Sequence, residues 1–295
     1  MKIKKTKARW GFEIFNGLFM LFMIVICIYP ILYIVFASFS SSEALTRLGG
    51  ELLFHPVEFT TASYTRALAN PNILSGYKNT LFILFFGLLV SMLLTIIGAY
   101  FLSRKGVAFQ KPITIFIMFT MWFSGGLIPL YIAVRDIGLD GSIWSLIIPS
   151  AISTYNMIIM RTGFASIPQS LEESASIDGA GHITILFKIM VPLAKATIAV
   201  IALYYGVAIW NAWFHASIFL QGHSDKWPLQ LVLRQILIMN DTDSMMQGVG
   251  AGDKESIGES IKYAVIIIAT APILCVYPFI QKYFVKGVMI GAVKG

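Results

Sequence analysis

Residues 170–192 read SLEESASIDGAGHITILFKIMVP, a charged stretch with helix-capping and turn residues that lies between two apolar segments. Ser170 and Glu173 have the spacing of a capping box, in which each side chain satisfies a free backbone N–H at the start of a helix. The pattern therefore predicts a short helix over 171–177 that starts at this cap.

A turn is expected after this helix, at Asp178 and Gly179, because glycine accepts a positive φ. Residues 182–190 form a second helical pattern that is apolar on one face and leads into Pro192. The residues alone leave two interpretations open. The stretch is either a plain connector between two segments or a surface on which another protein docks.

The composition of the chain is that of a membrane protein. The 295 residues are 57% hydrophobic and 13% charged, with a mean hydropathy of +0.77, whereas soluble domains carry about 25% charged residues. Cys27 and Cys275 each lie in an apolar run, so neither a disulfide framework nor a metal site is expected. The first apolar run is too long for the core of a signal peptide and predicts a membrane helix instead.

Six apolar stretches approach or exceed the roughly 20 residues of helix that cross a bilayer. They are 14–38, 79–102, 113–134, 143–160, 196–220 and 263–280. Prolines inside four of them predict kinks, namely Pro30, Pro129, Pro149 and Pro272.

The distribution of charge predicts the orientation. With a cytoplasmic N-terminus, the inside segments hold fourteen basic and four acidic residues, and the outside segments hold eight basic and eleven acidic residues. We therefore expect both termini in the cytoplasm, and the net charge of +7 needs no nucleic-acid partner. The predicted organisation is an N-terminus (1–13), a first span (14–38), an outside loop (39–78), a core (79–281) with a cytoplasmic loop (161–195), and a cytoplasmic tail (282–295).

The predicted spans lack the groups that power transport or catalysis. Their interiors contain no Asp, Glu, Lys or Arg, and His215 is their only histidine, which argues against an ion-coupled carrier and an intramembrane protease. Residues 248–256, GVGAGDKES, lack the second glycine directly before the lysine that a phosphate-binding loop requires. We expect no enzymatic activity, and the energy for any transport must come from another polypeptide.

Four residues of the opening stretch match a family motif. Glu173, Gly179, Ile189 and Pro192 have the spacing of the EAA loop of ABC importer permeases, and the stretch resembles that loop. The resemblance implies an all-α type-I importer fold with six transmembrane helices, and a coupling helix that docks on a separate ATPase. The residues implied in coupling are Glu172, Glu173, Ser174, Ala175, Asp178, Gly179, Ala180, Ile189 and Pro192.

Further residues resemble the carbohydrate-uptake, maltose-type permeases. Trp210 and Asn211 resemble a W-N signature of that family, and KGVMIGAVKG at 286–295 resembles the tail of its smaller permease, which extends toward the ATPase. Oligosaccharides are the implied substrates. The tail residues concerned are Lys286, Gly287, Gly291, Lys294 and Gly295.

Aromatic rings and an amide in the fifth span are candidates for the substrate pathway, because sugar rings stack on aromatic faces and sugar hydroxyls need polar partners. The alternative is that these side chains face lipid or the interface. The candidates are Tyr204, Tyr205, Trp210, Asn211 and Trp213.

The resemblance also implies the partners. These are a second homologous permease, two ABC ATPases that bind ATP and Mg²⁺, and an external solute-binding protein that delivers sugar; this chain itself would bind no cofactor. The implied location is the bacterial cytoplasmic membrane, and the implied mechanism is alternating access. Two alternatives remain: an ABC permease for an amino acid or a polyamine, and a membrane enzyme or scaffold.

Overall fold

The computed structural model describes residues 7–104, 106–238, 260–276 and 278, and the regular elements within them are helices. The α-helices are α1 Lys7–Ser38, α2 Ser42–Leu48, α3 Ala62–Ala69, α4 Pro71–Ser103, α5 Gln110–Phe119, α6 Leu127–Asp136, α7 Trp144–Ile147, α8 Thr154–Ala165, α9 Gln169–Ile177, α10 His182–Ile185, α11 Val191–Leu193, α12 Lys195–Trp210, α13 Phe214–Phe219, α14 Leu229–Ile238 and α15 Ser260–Val276. A π-helical turn, Leu186–Met190, joins α10 to α11, and a 3₁₀ turn, Ser224–Lys226, precedes α14.

Two helices are long and apolar enough to cross a membrane: α1 from Arg9, and α4. The helical segments His182–Leu193 and Lys195–Trp210 meet at a bend of 86° and count as a third span if taken together. The described residues thus contain two or three clear spans, and the expected six remain a prediction. None of the most apolar 18-residue segment of α1 is buried within the chain, as expected for a helix surrounded by lipid or by another subunit.

Three of the predicted spans are interrupted, so their prediction as continuous helices was wrong. The third is two helices, α5 and α6, separated by residues 120–126, where Gly126 has a φ of +86°. The expected kink at Pro129 is absent, because Pro129 occupies the first turn of α6, where a missing N–H costs no helical hydrogen bond.

The fourth and fifth predicted spans also divide. Residues 148–153, which include Pro149, separate α7 from α8, and residues 211–213 separate α12 from α13. The second span is longer than predicted, since α4 begins at Pro71 rather than at residue 79. The last helix ends at Val276 in the described residues, and residues 277, 279 and 280 of its predicted range lie outside them.

The chain divides into two compact units, and the first comprises residues 1–70 and 235–271. Ser260 in this unit is buried, and its hydroxyl contacts those of Ser42 (2.8 Å) and Ser63 (3.0 Å). Tyr33 and Tyr263 pack edge to face, with ring centroids 6.0 Å apart. The predicted outside loop is therefore folded, since its helices α2 and α3 pack through small and hydroxyl side chains.

The second unit comprises residues 71–234 and 272–295 and is built around α4, α8 and α12. The buried face of α4 carries small and hydroxyl residues at helical spacing. Such faces let membrane helices approach closely. They are Gly76, Thr80, Gly87, Ser91, Thr95 and Ala99.

Close helix contacts in this unit occur at glycines. A methyl group on Gly98 of α4 would lie 3.1 Å from the sulfur of Met157 in α8. A methyl group on Gly163 of α8 would lie 2.8 Å from side-chain atoms of Thr197 in α12. The packing of α8 against α4 and against α12 therefore depends on residues without a side chain.

Candidate coupling and substrate sites

The helix α9 lies where the opening stretch predicted a helix, and it ends as predicted at a turn. Gly179 has a φ of +84°, its N–H donates to the Ser176 carbonyl (3.1 Å), and the Ala180 N–H donates to the Ala175 carbonyl (2.9 Å). These two bonds form a Schellman motif, which satisfies carbonyls left free at a helix end and requires a left-handed residue. Asp178 is the last residue before that glycine.

The predicted capping box is wrong. The helix begins at Gln169 with Pro168 as its N-cap, and no side chain caps it. Ser170 is thus the second residue inside the helix, one position beyond the first helical residue, and it does not occupy the N-cap position. Glu173 instead accepts a hydrogen bond from the side-chain amide of Gln169 (2.9 Å).

Glu172 anchors α9 to the end of α4. Its carboxylate forms an ion pair with Arg104 and accepts a hydrogen bond from the Tyr100 hydroxyl (3.0 Å). Only 14% of each charged side chain is exposed. The Arg104 guanidinium also lies 4.9 Å from the Tyr100 ring centroid, a cation–π distance.

The charge of Arg104 persists despite its burial. Burial lowers the pKa of the Arg104 guanidinium, but an arginine remains protonated at physiological pH. The ion pair with Glu172 is therefore a buried contact in which each charge compensates the other.

The opposite side of α9 is exposed and partly apolar. Ile177 is 86% exposed, Ile183 beyond the turn is 77% exposed, and Glu173, Ser174 and Leu171 are also accessible. Ala175 and Ala180 instead pack against the core of the second unit. The helix thus has one side held by the bundle and one side free to contact a different surface.

The second half of the stretch is a helical segment that turns sharply into α12. Ile185, Leu186 and Met190 are buried in the core, and Ile189 is half-buried. Pro192 is the second residue of α11, where proline is tolerated. The bend of 86° follows at Ala194, so the segment and α12 are nearly perpendicular.

Two tyrosines of the predicted substrate pathway lie on α12. Tyr205 is buried. Its hydroxyl contacts Thr95 Oγ1 (2.7 Å) and accepts a hydrogen bond from the Ser153 N–H (2.8 Å). The hydroxyl of Tyr205 therefore already has two hydrogen-bond partners within the protein, and Tyr205 also borders a cavity. Tyr204 is half-buried and packs against the same core.

The other three pathway candidates lie where α12 ends. Trp210 is buried against Tyr77, with ring centroids 6.4 Å apart. Asn211 is exposed, and its amide donates to the Val207 carbonyl (2.9 Å). Trp213 lies under the guanidinium of Arg234, 4.5 Å from the ring centroid. The five candidates are thus not gathered around one site, and their role in transport remains a proposal.

Several predicted features fall outside the described residues. These are the glycine-rich segment 248–256 and the tail residues Lys286, Gly287, Gly291, Lys294 and Gly295. In the part of the chain that is described, no cluster of His, Cys, Asp or Glu could hold a metal ion.

Sequence reasoning missed Arg104 as a partner of the coupling stretch. The only signal was its position directly after a long apolar segment, together with Tyr100 one helical turn earlier. A basic residue there is also what membrane orientation alone requires, so the pattern did not single it out.

Comparisons with known proteins agree with this arrangement. A family model described as "Binding-protein-dependent transport system inner membrane component" matches residues 91–290. The Polygalacturonan/rhamnogalacturonan transport system permease protein YtcP of Bacillus subtilis is 41% identical over 94% of this chain and 96% of its own length. Protein LplC of the same organism is 40% identical over 98% of this chain and 97% of its own length.

A solved structure has the same fold. It is the crystal structure of a bacterial ABC transporter involved in the import of the acidic polysaccharide alginate. The match covers 96% of this chain and 100% of that chain, with 32% identity and a TM-score of 0.87.

Proposed function

The chain belongs to the family of binding-protein-dependent transport system inner membrane components, as an ABC transporter permease of the carbohydrate-uptake type, and we propose that it imports oligosaccharides released from uronate-bearing polysaccharides. It is a permease of the cytoplasmic membrane and not itself a catalyst. The observation that carries the substrate is the 41% identity, over 94% of this chain, with a permease named for polygalacturonan and rhamnogalacturonan transport.

Membership of this family implies an ATPase and a solute-binding protein as partners. The finer assembly is a proposal: this chain pairs with a second homologous permease, and two ATPases that bind ATP and Mg²⁺ lie on the cytoplasmic side. The proposal also includes six membrane crossings with both termini in the cytoplasm. The excess of Lys and Arg in the predicted inside segments supports this topology.

Docking on the ATPase is assigned to the exposed side of α9. Glu173, Ser174 and Ile177 on this side are accessible, while Glu172 and Ala175 face the bundle. An exposed apolar side rimmed by charge is typical of a protein interface. A displacement of α9 would then reach α4 through the buried ion pair and α12 through the segment at 182–193.

The sugar pathway is assigned to the second unit, with Tyr204, Tyr205, Trp210, Asn211 and Trp213 as candidates and the tail at 286–295 directed toward the ATPase. An amino acid or a polyamine is the alternative substrate. Relatives named for the transport of polygalacturonan and rhamnogalacturonan, of arabinooligosaccharides and of galactooligosaccharides favour a carbohydrate instead.

Uptake by the assembled transporter tests this function. The complex of both permeases and the ATPase is reconstituted in vesicles with its solute-binding protein, and uptake of trigalacturonate, galactotriose, glutamine and spermidine is compared. We expect ATP-dependent uptake of trigalacturonate above the other three. Uptake of glutamine or spermidine alone would overturn the carbohydrate assignment, whereas uptake of galactotriose alone would overturn only the uronate class.

A further inference from the structure

A cavity of about 240 Å³ lies inside the second unit, next to the breaks between α7 and α8 and between α12 and α13. It is bounded by α4, by the segment between α7 and α8, and by α8, α12 and α13. The residues around it are Thr80, Ile83, Leu146, Ser150, Ser153, Asn156, Tyr205, Ala208, Ile209, Ala212, His215, Ala216 and Pro228.

Asn156 is the most informative side chain of this cavity. Only 6% of the residue is exposed, and its backbone N–H donates to the Ser153 hydroxyl (3.4 Å). Among the described residues, none forms a hydrogen bond with its side-chain amide, which borders the cavity. Because buried polar groups almost always have a hydrogen-bond partner and an unpaired one is costly, this amide requires a polar partner inside the cavity.

His215 and Ser150 add polar atoms that the described residues do not satisfy. The His215 ring stacks on Phe219, with centroids 5.5 Å apart, and contacts Phe214 on α13. These contacts hold the ring by its face and leave its nitrogens for hydrogen bonding. Three groups from three segments of the chain are thus directed at one space.

Much of the remaining boundary is apolar. Ile83, Leu146 and Ile209 cover it with aliphatic groups, and none of its described residues is Asp, Glu, Lys or Arg. A sugar ring matches this combination, because it presents C–H faces to apolar groups and hydroxyls to amides and imidazoles. The volume lies below the roughly 300 Å³ at which drug-sized pockets begin, so it suits one ring rather than a whole oligosaccharide.

We propose that this cavity is a sugar-binding subsite of the translocation pathway, in which Asn156 and His215 hydrogen-bond the hydroxyls of one ring. The proposal rests on the proposed carbohydrate substrate. It differs from the aromatic pathway candidates, because the hydroxyl of Tyr205 already contacts Thr95 and Ser153. In this proposal Tyr205 stabilises the helices that border the cavity, and Asn156 hydrogen-bonds the ligand.

Two substitutions in the reconstituted transporter test the subsite, with trigalacturonate as probe. Asn156→Leu keeps the size of the side chain and removes its hydrogen bonds, and His215→Phe does the same for the imidazole. Each is expected to lower kcat/KM for uptake about tenfold, the effect of one lost hydrogen bond. Ser217→Ala is the matched control, because the Ser217 hydroxyl bonds to the Phe214 carbonyl (2.7 Å) outside the cavity.

The outcomes separate this proposal from the function on which it rests. No uptake of trigalacturonate by the wild-type transporter would overturn the proposed uronate substrate itself. Wild-type uptake combined with values within twofold for both variants would overturn the subsite.

A labelling experiment decides the matter if either variant fails to assemble. Ser150→Cys, in a transporter with Cys27 and Cys275 replaced by alanine, is reacted with a small maleimide with and without trigalacturonate. Slower labelling in the presence of the sugar supports the subsite. Labelling that the sugar leaves unchanged, or that is blocked in its absence, shows water or a partner helix in the cavity and overturns it.

Discussion

Glu172 and Glu173 are adjacent carboxylates with different surroundings. Glu172 points into the bundle and is compensated by Arg104, whereas Glu173 is exposed and bonds to Gln169 in its own helix. The helical step of about 100° between neighbours places the two on different sides of α9. One sequence motif therefore supplies both the attachment of α9 to the membrane helices and a charge on its outer surface.

The first prediction concerns stability at this pair. Glu172→Gln leaves the buried charge of Arg104 uncompensated, so the complex should lose about 3 kcal/mol of stability. Replacing both residues, Arg104→Met with Glu172→Met, removes both charges and should recover much of that loss. The thermal unfolding midpoint of the purified complex measures both.

Glu173→Gln is the matched control for this experiment. Its side chain is exposed, and surface substitutions usually change stability by less than about 0.5 kcal/mol. Equal losses for the two glutamates would contradict the structural role given to Glu172.

The second prediction concerns Gly179. A β-branched side chain is strained at a φ of +84°, although nothing lies within 4 Å of the added Cβ. Gly179→Val should therefore leave the protein inserted in the membrane but abolish the sugar-stimulated ATPase activity of the complex. Gly179→Asn should retain much of that activity, because asparagine tolerates the left-handed region. Full activity in the valine variant would refute the coupling assignment of this turn.

At the scale of elements, interrupted helices surround the cavity. The segments 148–153 and 211–213 are breaks at which backbone groups and polar side chains are released from regular helices. Non-helical backbone at membrane depth is tolerated where it lines a cavity or is buried in protein. The breaks thus place Ser150 and Ser153 beside the cavity, and His215 follows the second break.

The third prediction tests the packing of α8 on α12. Gly163→Ala places a methyl group 2.8 Å from the β-branched side chain of Thr197, and such overpacking costs about 1–3 kcal/mol. Gly206→Ala on α12 is the control, since the nearest atom would lie at an ordinary 3.9 Å. The unfolding midpoint should fall for Gly163→Ala alone. Equal midpoints would show that α8 adjusts without cost.

The sequence predicted where apolar segments lie but not which of them are continuous. Mean hydropathy is averaged over a window of residues, so a break of a few residues does not change it much. The ranges 113–134, 143–160 and 196–220 were therefore each predicted as one helix. Local signals were available at Gly126 and Pro149. The capping box failed for a similar reason, because the Ser170–Glu173 spacing does not say whether the helix has its N-cap two residues earlier, at Pro168.

At the scale of the whole molecule, the family and the coupling stretch were predictable from spacing, because the motif specifies a turn and a small-residue helix in one order. Asn156 and the cavity were not predictable. A lone asparagine in an apolar segment has no pattern, and its missing partner is visible only when α4, α8 and α12 are brought together.

The fourth prediction tests the orientation. In a chain with Cys27 and Cys275 replaced by alanine, Asp136→Cys should react with an impermeant maleimide added to intact protoplasts or spheroplasts. Ser176→Cys on α9 should react only after lysis, because the proposed topology puts that helix in the cytoplasm. The reverse pattern would invert the topology.

The bend of 86° at Ala194 has a mechanical consequence. A helix of 16 residues, the length of α12, is about 24 Å long. A rotation of about 10° about Ala194 would therefore swing the far end, at Trp210, through an arc of about 4 Å. Hydrogen bonds tolerate only a few tenths of an ångström around 2.9 Å. In the proposed subsite, such a tilt of α12 would move His215, which follows α12, relative to Asn156 on α8, and a ligand bound by both residues would lose its hydrogen bonds.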